Sequence, residues 1–68
     1  MSEKRLRQES MMYKVRIALG ACDVYGQALH IADYKLVYDV VGETPTTVMI
    51  KVRGERRTFS KVDITYSI

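Results

Sequence analysis

Polar and apolar residues alternate strongly from residue 13 onward. Val15, Ile17 and Leu19 alternate with Lys14, Arg16 and Ala18, the period-2 pattern of a strand with one buried face. Gly20 to Asp23 read as a turn. Val24 to Ile31 read as a second strand, bent at Gly26, because a glycine inside a strand marks a bend or bulge. Asp33-Tyr34-Lys35 is a short connection into a third strand, Leu36 to Val41, which Gly42 to Pro45 end. Thr46 to Val52 form a strongly β-prone stretch with Val48, Ile50 and Val52 on one face. Arg53 to Arg56 make a tight turn, Arg57 to Ser60 continue as a strand, and Val62 to Ser67 form the last, with Ile64 and Tyr66 sharing a face.

The first eleven residues follow a different pattern. Ser2 is a suitable helix N-cap, Glu3 suits the first turn, and Lys4 to Glu9 are good helix formers. A short helix is expected there, anchored by Leu6 and by Met11 or Met12, and too thin in its apolar face to stand alone. Six short β stretches then follow at spacings of about 8–12 residues. Their connections are too short for crossover helices, so the expected sheet is antiparallel. Small bent strands in this number predict a barrel, with Gly26 supplying one of its sharp bends.

Composition narrows this picture. The 68 residues hold one domain, divided as a helix over 1–11 and a β-barrel over 12–68. With 47% apolar and 28% charged residues the chain is an ordinary globular mixture. No apolar run approaches the ~20 residues of a membrane span, and Ser2 to Arg7 have no apolar stretch behind them that would read as a secretory signal. Cys22 and His30 are the only cysteine and histidine, which excludes an internal disulfide and the usual Cys/His zinc cluster. A reduced, cytoplasmic domain without metal, cofactor or membrane partner is expected. Cores below about 70–80 residues rarely supply more than ~3–5 kcal/mol. Lacking disulfide and metal, the chain is expected to self-associate.

Charge is uneven. Residues 1–20 and 47–68 each carry net +3, and residues 21–46 carry net −3. Two basic thirds can fold into one basic face that attracts a polyanion, or into a solvated surface. No catalytic constellation is present: His30 has no Cys or Ser nearby, the acids are scattered, and no Gly-rich phosphate loop occurs. The chain is therefore not expected to be an enzyme. In Asp33-Tyr34-Lys35, a Tyr beside a Lys can stack a base and pair with a phosphate, or Tyr34 can pack over the barrel end as part of an ordinary turn. Ser60-Lys61 is a second polar break open to the same two readings. Arg53, Arg56 and Arg57 cluster at one hairpin tip, either as phosphate contacts or as an exposed charged tip.

The stretch Leu19 to Tyr38 resembles the first motif of the Sm family: a hydrophobic strand, a turn, a Gly-bent strand, then an Asp-led turn into a third strand. Gly26 matches the bend glycine and Asp33 the turn aspartate. Phe59 to Thr65 resembles the second motif of bacterial Hfq, in which a Lys precedes the last strand. Val37 stands where many family members carry Asn, and Ser60-Lys61 replaces their Arg-Gly.

The resemblance implies a mainly β fold: a short N-terminal helix, then a small, strongly bent five-stranded antiparallel Sm-like (SH3-type) barrel. Such subunits pair edge strands into homo-oligomeric rings, here of five to seven copies, and bind single-stranded RNA, or DNA, at the pore. Carried over, the contacts are Asp33, Tyr34 and Lys35 with Ser60 and Lys61, and Lys4, Arg5 and Arg7 on the helix face. The alternative is a protein-interaction or assembly module that uses strand edges and an apolar patch around Met11, Met12 and Tyr13.

Overall fold

The structure, a computed structural model, describes residues 13–67; the helix expected over 1–11, with Lys4, Arg5 and Arg7, lies outside them, as do Met11 and Met12 of the apolar patch. Five strands form one antiparallel sheet: β1 (Lys14–Ile17), β2 (Tyr38–Glu43), β3 (Thr47–Val52), β4 (Glu55–Ser60) and β5 (Ile64–Ser67), in the order β4-β3-β2-β1-β5. Two 3-10 turns, Ile31–Lys35 and Lys61–Asp63, lead into β2 and β5. The mainly β, five-stranded antiparallel expectation holds.

The strand expected over Val24 to Ile31 does not form. Among the described residues its only ladder contact is an isolated bridge between Cys22 and Ala28. The Asp23 carboxylate accepts hydrogen bonds from the amides of Tyr25 and Gln27, which closes the chain into a turn. Gly26 has φ +85° and serves that turn rather than a strand bend. The first strand also stops earlier than expected, and Leu19 is 73% exposed. Likewise Ile31–Lys35 coils as 3-10 and delays the next strand to Tyr38, whose hydroxyl donates to the Asp33 carbonyl.

The sheet is strongly curled. Laid flat, its outermost strands would stand about 19 Å apart. Yet β4 and β5 are joined only by Lys61–Asp63, which spans at most about 14 Å from Ser60 to Ile64 and less when wound as 3-10. The two edges therefore approach each other, although no ladder joins them and the barrel is not closed. β2 carries the bend, with Tyr38 and Asp39 pairing to β1 and Val40 to Glu43 pairing to β3.

A bulge lies in β2 between Val40 and Gly42, which face Ile50 and Met49. The extra residue, Val41, is 50% exposed. The bulge also reverses the alternation, so Glu43 lies opposite buried Val48 and reaches the rim of the core.

The core forms inside the curl. Val15, Ile17, Val40, Val48, Ile50, Val52 and Phe59 come from the strands; Leu29, Tyr34 and Tyr38 come from the long β1–β2 connection and its junction. The predicted inward faces of β1 and β3 are both present. The β3–β4 hairpin turns on Arg53 and Gly54, at φ +53° and +83°, the doubly left-handed backbone of a two-residue hairpin turn.

Candidate functional site

The long β1–β2 connection is held against the β3–β4 hairpin by two arginine–aspartate pairs. Arg57 donates from Nε to Asp23 at 2.8 Å and from Nη2 to the carbonyls of Gln27 and Ala28. Arg53 donates from Nε and Nη2 to Asp33 at 2.9 and 3.1 Å. Both aspartates are buried. For Asp23, burial works against ionisation but is outweighed by hydrogen bonds from Gln27, Arg57 and Tyr25, and its carboxyl sits below the usual range. The Asp33 carboxyl is also lowered, chiefly by the hydrogen bond from Arg53, against burial. A cleft of about 280 Å³ lies between the two pairs, lined in part by Leu29, His30, Val52 and Glu55.

Tyr34, expected to stack a base, is 5% exposed. Its hydroxyl donates to the Ala21 carbonyl at 2.7 Å and accepts from the Leu29 amide at 3.0 Å. The ring is part of the core and offers no free face, which is the packing alternative of the sequence reading. Asp33 and Arg57 are likewise engaged inside the fold. Arg53 keeps a 64% exposed side chain although two of its donors are held by Asp33. Lys35 is exposed.

Ser60 and Lys61 lie elsewhere. Ser60 ends β4 and Lys61 follows it, at the far end of the strand from the Arg53-Gly54 turn, roughly 17 Å from Glu55 at strand rise. Lys61 bonds Glu43 at 3.4 Å, and Glu43 also accepts from the Tyr13 hydroxyl. Tyr13 stacks obliquely on Tyr66, ring centroids 5.4 Å apart. Burial, then Glu43, holds the Tyr13 phenol well above its usual range. This rim cluster binds β1, β2 and β5 together, and Tyr13 is half-buried within it rather than part of an open apolar patch. Among the described residues the expected pore contacts thus fall into two separate groups within one chain, Asp33 to Lys35 and Ser60-Lys61.

A different basic surface emerges from the register. Lys14 faces Asp39 across β1–β2, and Lys51 faces Arg56 across β3–β4. Because Val40 pairs with Ile50, the outward Asp39 stands next to Lys51. Lys14, Asp39, Lys51 and Arg56 therefore form one row across the outer face of the sheet. Asp39 is held by Lys14 at 2.7 Å. Among the described residues Lys51 and Arg56 have no acidic partner. Like charges directly opposite on a sheet are destabilising. Of the expected residues only Arg56 lies in this row. Lys51 was passed over, and the signal available was its place one residue before Val52, on the polar face of the strand.

Among the described residues every buried side-chain polar atom has a partner, no three of His, Cys, Asp and Glu converge, and no helix is long and apolar enough to cross a membrane. Comparison with protein-family models, curated proteins and solved structures finds no match to this chain.

Proposed function

We propose that this chain is a non-enzymatic, single-stranded nucleic-acid-binding β domain that assembles through its strand edges. The observation that carries the reading is the Lys51–Arg56 pair, two opposed cations on the outer sheet face that form no ion pair among the described residues, the neighbouring Asp39 being held by Lys14. A phosphate backbone laid across this row would relieve their repulsion and release counterions. The formal net charge of +3 and sequence pI of about 9.2 act in the same direction.

The finer architecture, a Sm-like (SH3-type) barrel, is supported by the curl and by the placement of β5 beside β1. Assembly is supported by two outer edges, β4 and β5, with no strand partner among the described residues. On β4 the Thr58 carbonyl is already taken by the Val24 amide, so edge pairing would use the rest of that strand. A ring of five to seven copies would repeat the Lys51–Arg56 site and raise apparent affinity through multivalency. RNA is the proposed ligand, with single-stranded DNA the competing one.

The test is titration of a labelled single-stranded oligouridylate at two salt concentrations, with the mass of the same sample read by light scattering. Wild type is expected to be a closed oligomer whose affinity falls steeply with salt. The double variant K51Q/R56Q should bind more weakly and lose about 1.4 from the slope of log affinity against log salt, two phosphate contacts at ~0.7 each for a single strand. Identical affinity and slope in the double variant sink this site; a monomeric mass sinks the assembly.

A second reading, a protein-interaction module, is favoured by Val62, Leu19 and Ile31, which are 87%, 73% and 73% exposed. Binding that persists unchanged at high salt would favour it.

A further inference from the structure

The basic row ends at the edge of β4, where the tip of the β1–β2 connection is fastened. The Val24 amide donates to the Thr58 carbonyl at 2.9 Å. Thr58 is two residues from Arg56, on the same face of β4. Next to Val24 stands Tyr25, which is 83% exposed and has no side-chain hydrogen bond among the described residues. Summing ordinary backbone spacings, its Cα is no more than about 18 Å from that of Arg56.

The tip is built from several directions. Asp23 accepts from the Tyr25 and Gln27 amides, Gly26 closes the turn at φ +85°, and Arg57 clamps Asp23, Gln27 and Ala28 from below. A tyrosine has two side-chain torsions to order, and here the backbone that carries it is already ordered. An exposed aromatic ring on a tip fastened to the edge of the strand that carries Arg56 offers, with the cation pair, the two elements of single-strand recognition: a face for a base and charges for phosphates farther along the strand.

We propose that Tyr25 is the base-stacking platform of this domain, working with Lys51 and Arg56, and that single-stranded nucleic acid runs across the outer sheet face and over the β4 edge. The proposal rests on the nucleic-acid reading above and specifies its aromatic contact. Tyr34, packed in the core, has no part in it.

The experiment compares a labelled oligouridylate with an abasic strand of the same length, each titrated against wild type, Tyr25→Ala, Tyr25→Phe and K51Q/R56Q. Wild type should bind the base-bearing strand more tightly than the abasic one. Tyr25→Ala should weaken binding of the base-bearing strand roughly 5- to 150-fold, the range expected for one stacked base. It should leave affinity for the abasic strand and the salt slope unchanged, and Tyr25→Phe should behave as wild type. Tyr25 is exposed, so these variants should fold, and a far-UV spectrum checks that they do. If Tyr25→Ala binds both strands as wild type does, or if wild type does not distinguish the strands, Tyr25 is not a platform, while the salt-dependent Lys51–Arg56 site stands. If wild type binds neither strand, the nucleic-acid reading fails and this proposal fails with it.

Discussion

Phe59→Ala is expected to leave the chain without a cooperative unfolding transition at 25 °C. Phe59 is fully buried, lies opposite Val48 on β3, and is the largest of the fully enclosed side chains. Truncating a buried Phe to Ala costs about 3–5 kcal/mol, from lost transfer energy and the cavity left behind. That equals the ~3–5 kcal/mol a core of this size supplies. Collapse around the gap is restricted, because Val15, Val48 and Ile50 are themselves on short hydrogen-bonded strands. Urea titration followed by far-UV circular dichroism measures this. Val41→Ala, on the exposed bulge, is the control and should stay within about 0.5 kcal/mol of wild type. A Phe59→Ala melt within ~10 °C of wild type would mean that the core lies elsewhere.

Arg57→Ala should be nearly as damaging, and its damage should depend on pH. The substitution leaves Asp23 charged in a buried position and strips a donor from the carbonyls of Gln27 and Ala28. Removing one partner of a buried ion pair costs about 3–5 kcal/mol. The Arg57 side chain is 16% exposed, which places the expected loss near 3 kcal/mol. The folded Asp23 carboxyl lies below its unfolded value of about 3.9. Its contribution is therefore fully present above that value and is lost as pH falls through the folded pKa. The gap between wild type and Arg57→Ala should accordingly be wide at pH 7 and narrow toward pH 3. An equal gap at both pH values would assign the effect to packing alone. Amide exchange should also quicken at Asp23 and Val24, whose protons are donated to Gln27 and Thr58.

Strand β3 and the hairpin turn were readable in the sequence, because Val48, Ile50 and Val52 alternate cleanly and Arg53-Gly54 is a compact turn signal. The segment from Val24 to Ile31 was misread for a physical reason. Its local composition suits a strand, but its shape is set by Asp23 and by Arg57, thirty-four positions later. No local pattern announces a partner so far along the chain. Tyr34 was a similar case: the sequence places it in a connection, and only the fold supplies the Ala21 carbonyl and Leu29 amide that draw its hydroxyl inward. The bulge at Val41 was equally hidden, although it decides that Glu43 reaches Tyr13 and Lys61. For the site, Arg56 was legible as part of a basic tip. Its pairing with Lys51 is a matter of register, and the exposure of Tyr25 follows from the lost strand.

The position of β1 between β2 and β5 has a kinetic consequence. Its two neighbours are β2, some twenty-five residues along, and β5, about fifty residues along. The β2-β3-β4 meander can form from near-neighbour contacts, but β1 stays open on one side until residues 64–67 have emerged and returned to it. Loop closure over that distance must precede any reward from the contacts it makes. Chains with such high contact order fold in milliseconds to seconds rather than microseconds. Once the meander has formed, Lys14–Ile17 can pair with β2 on one side and stays an open edge on the other until residues 64–67 fold back onto it.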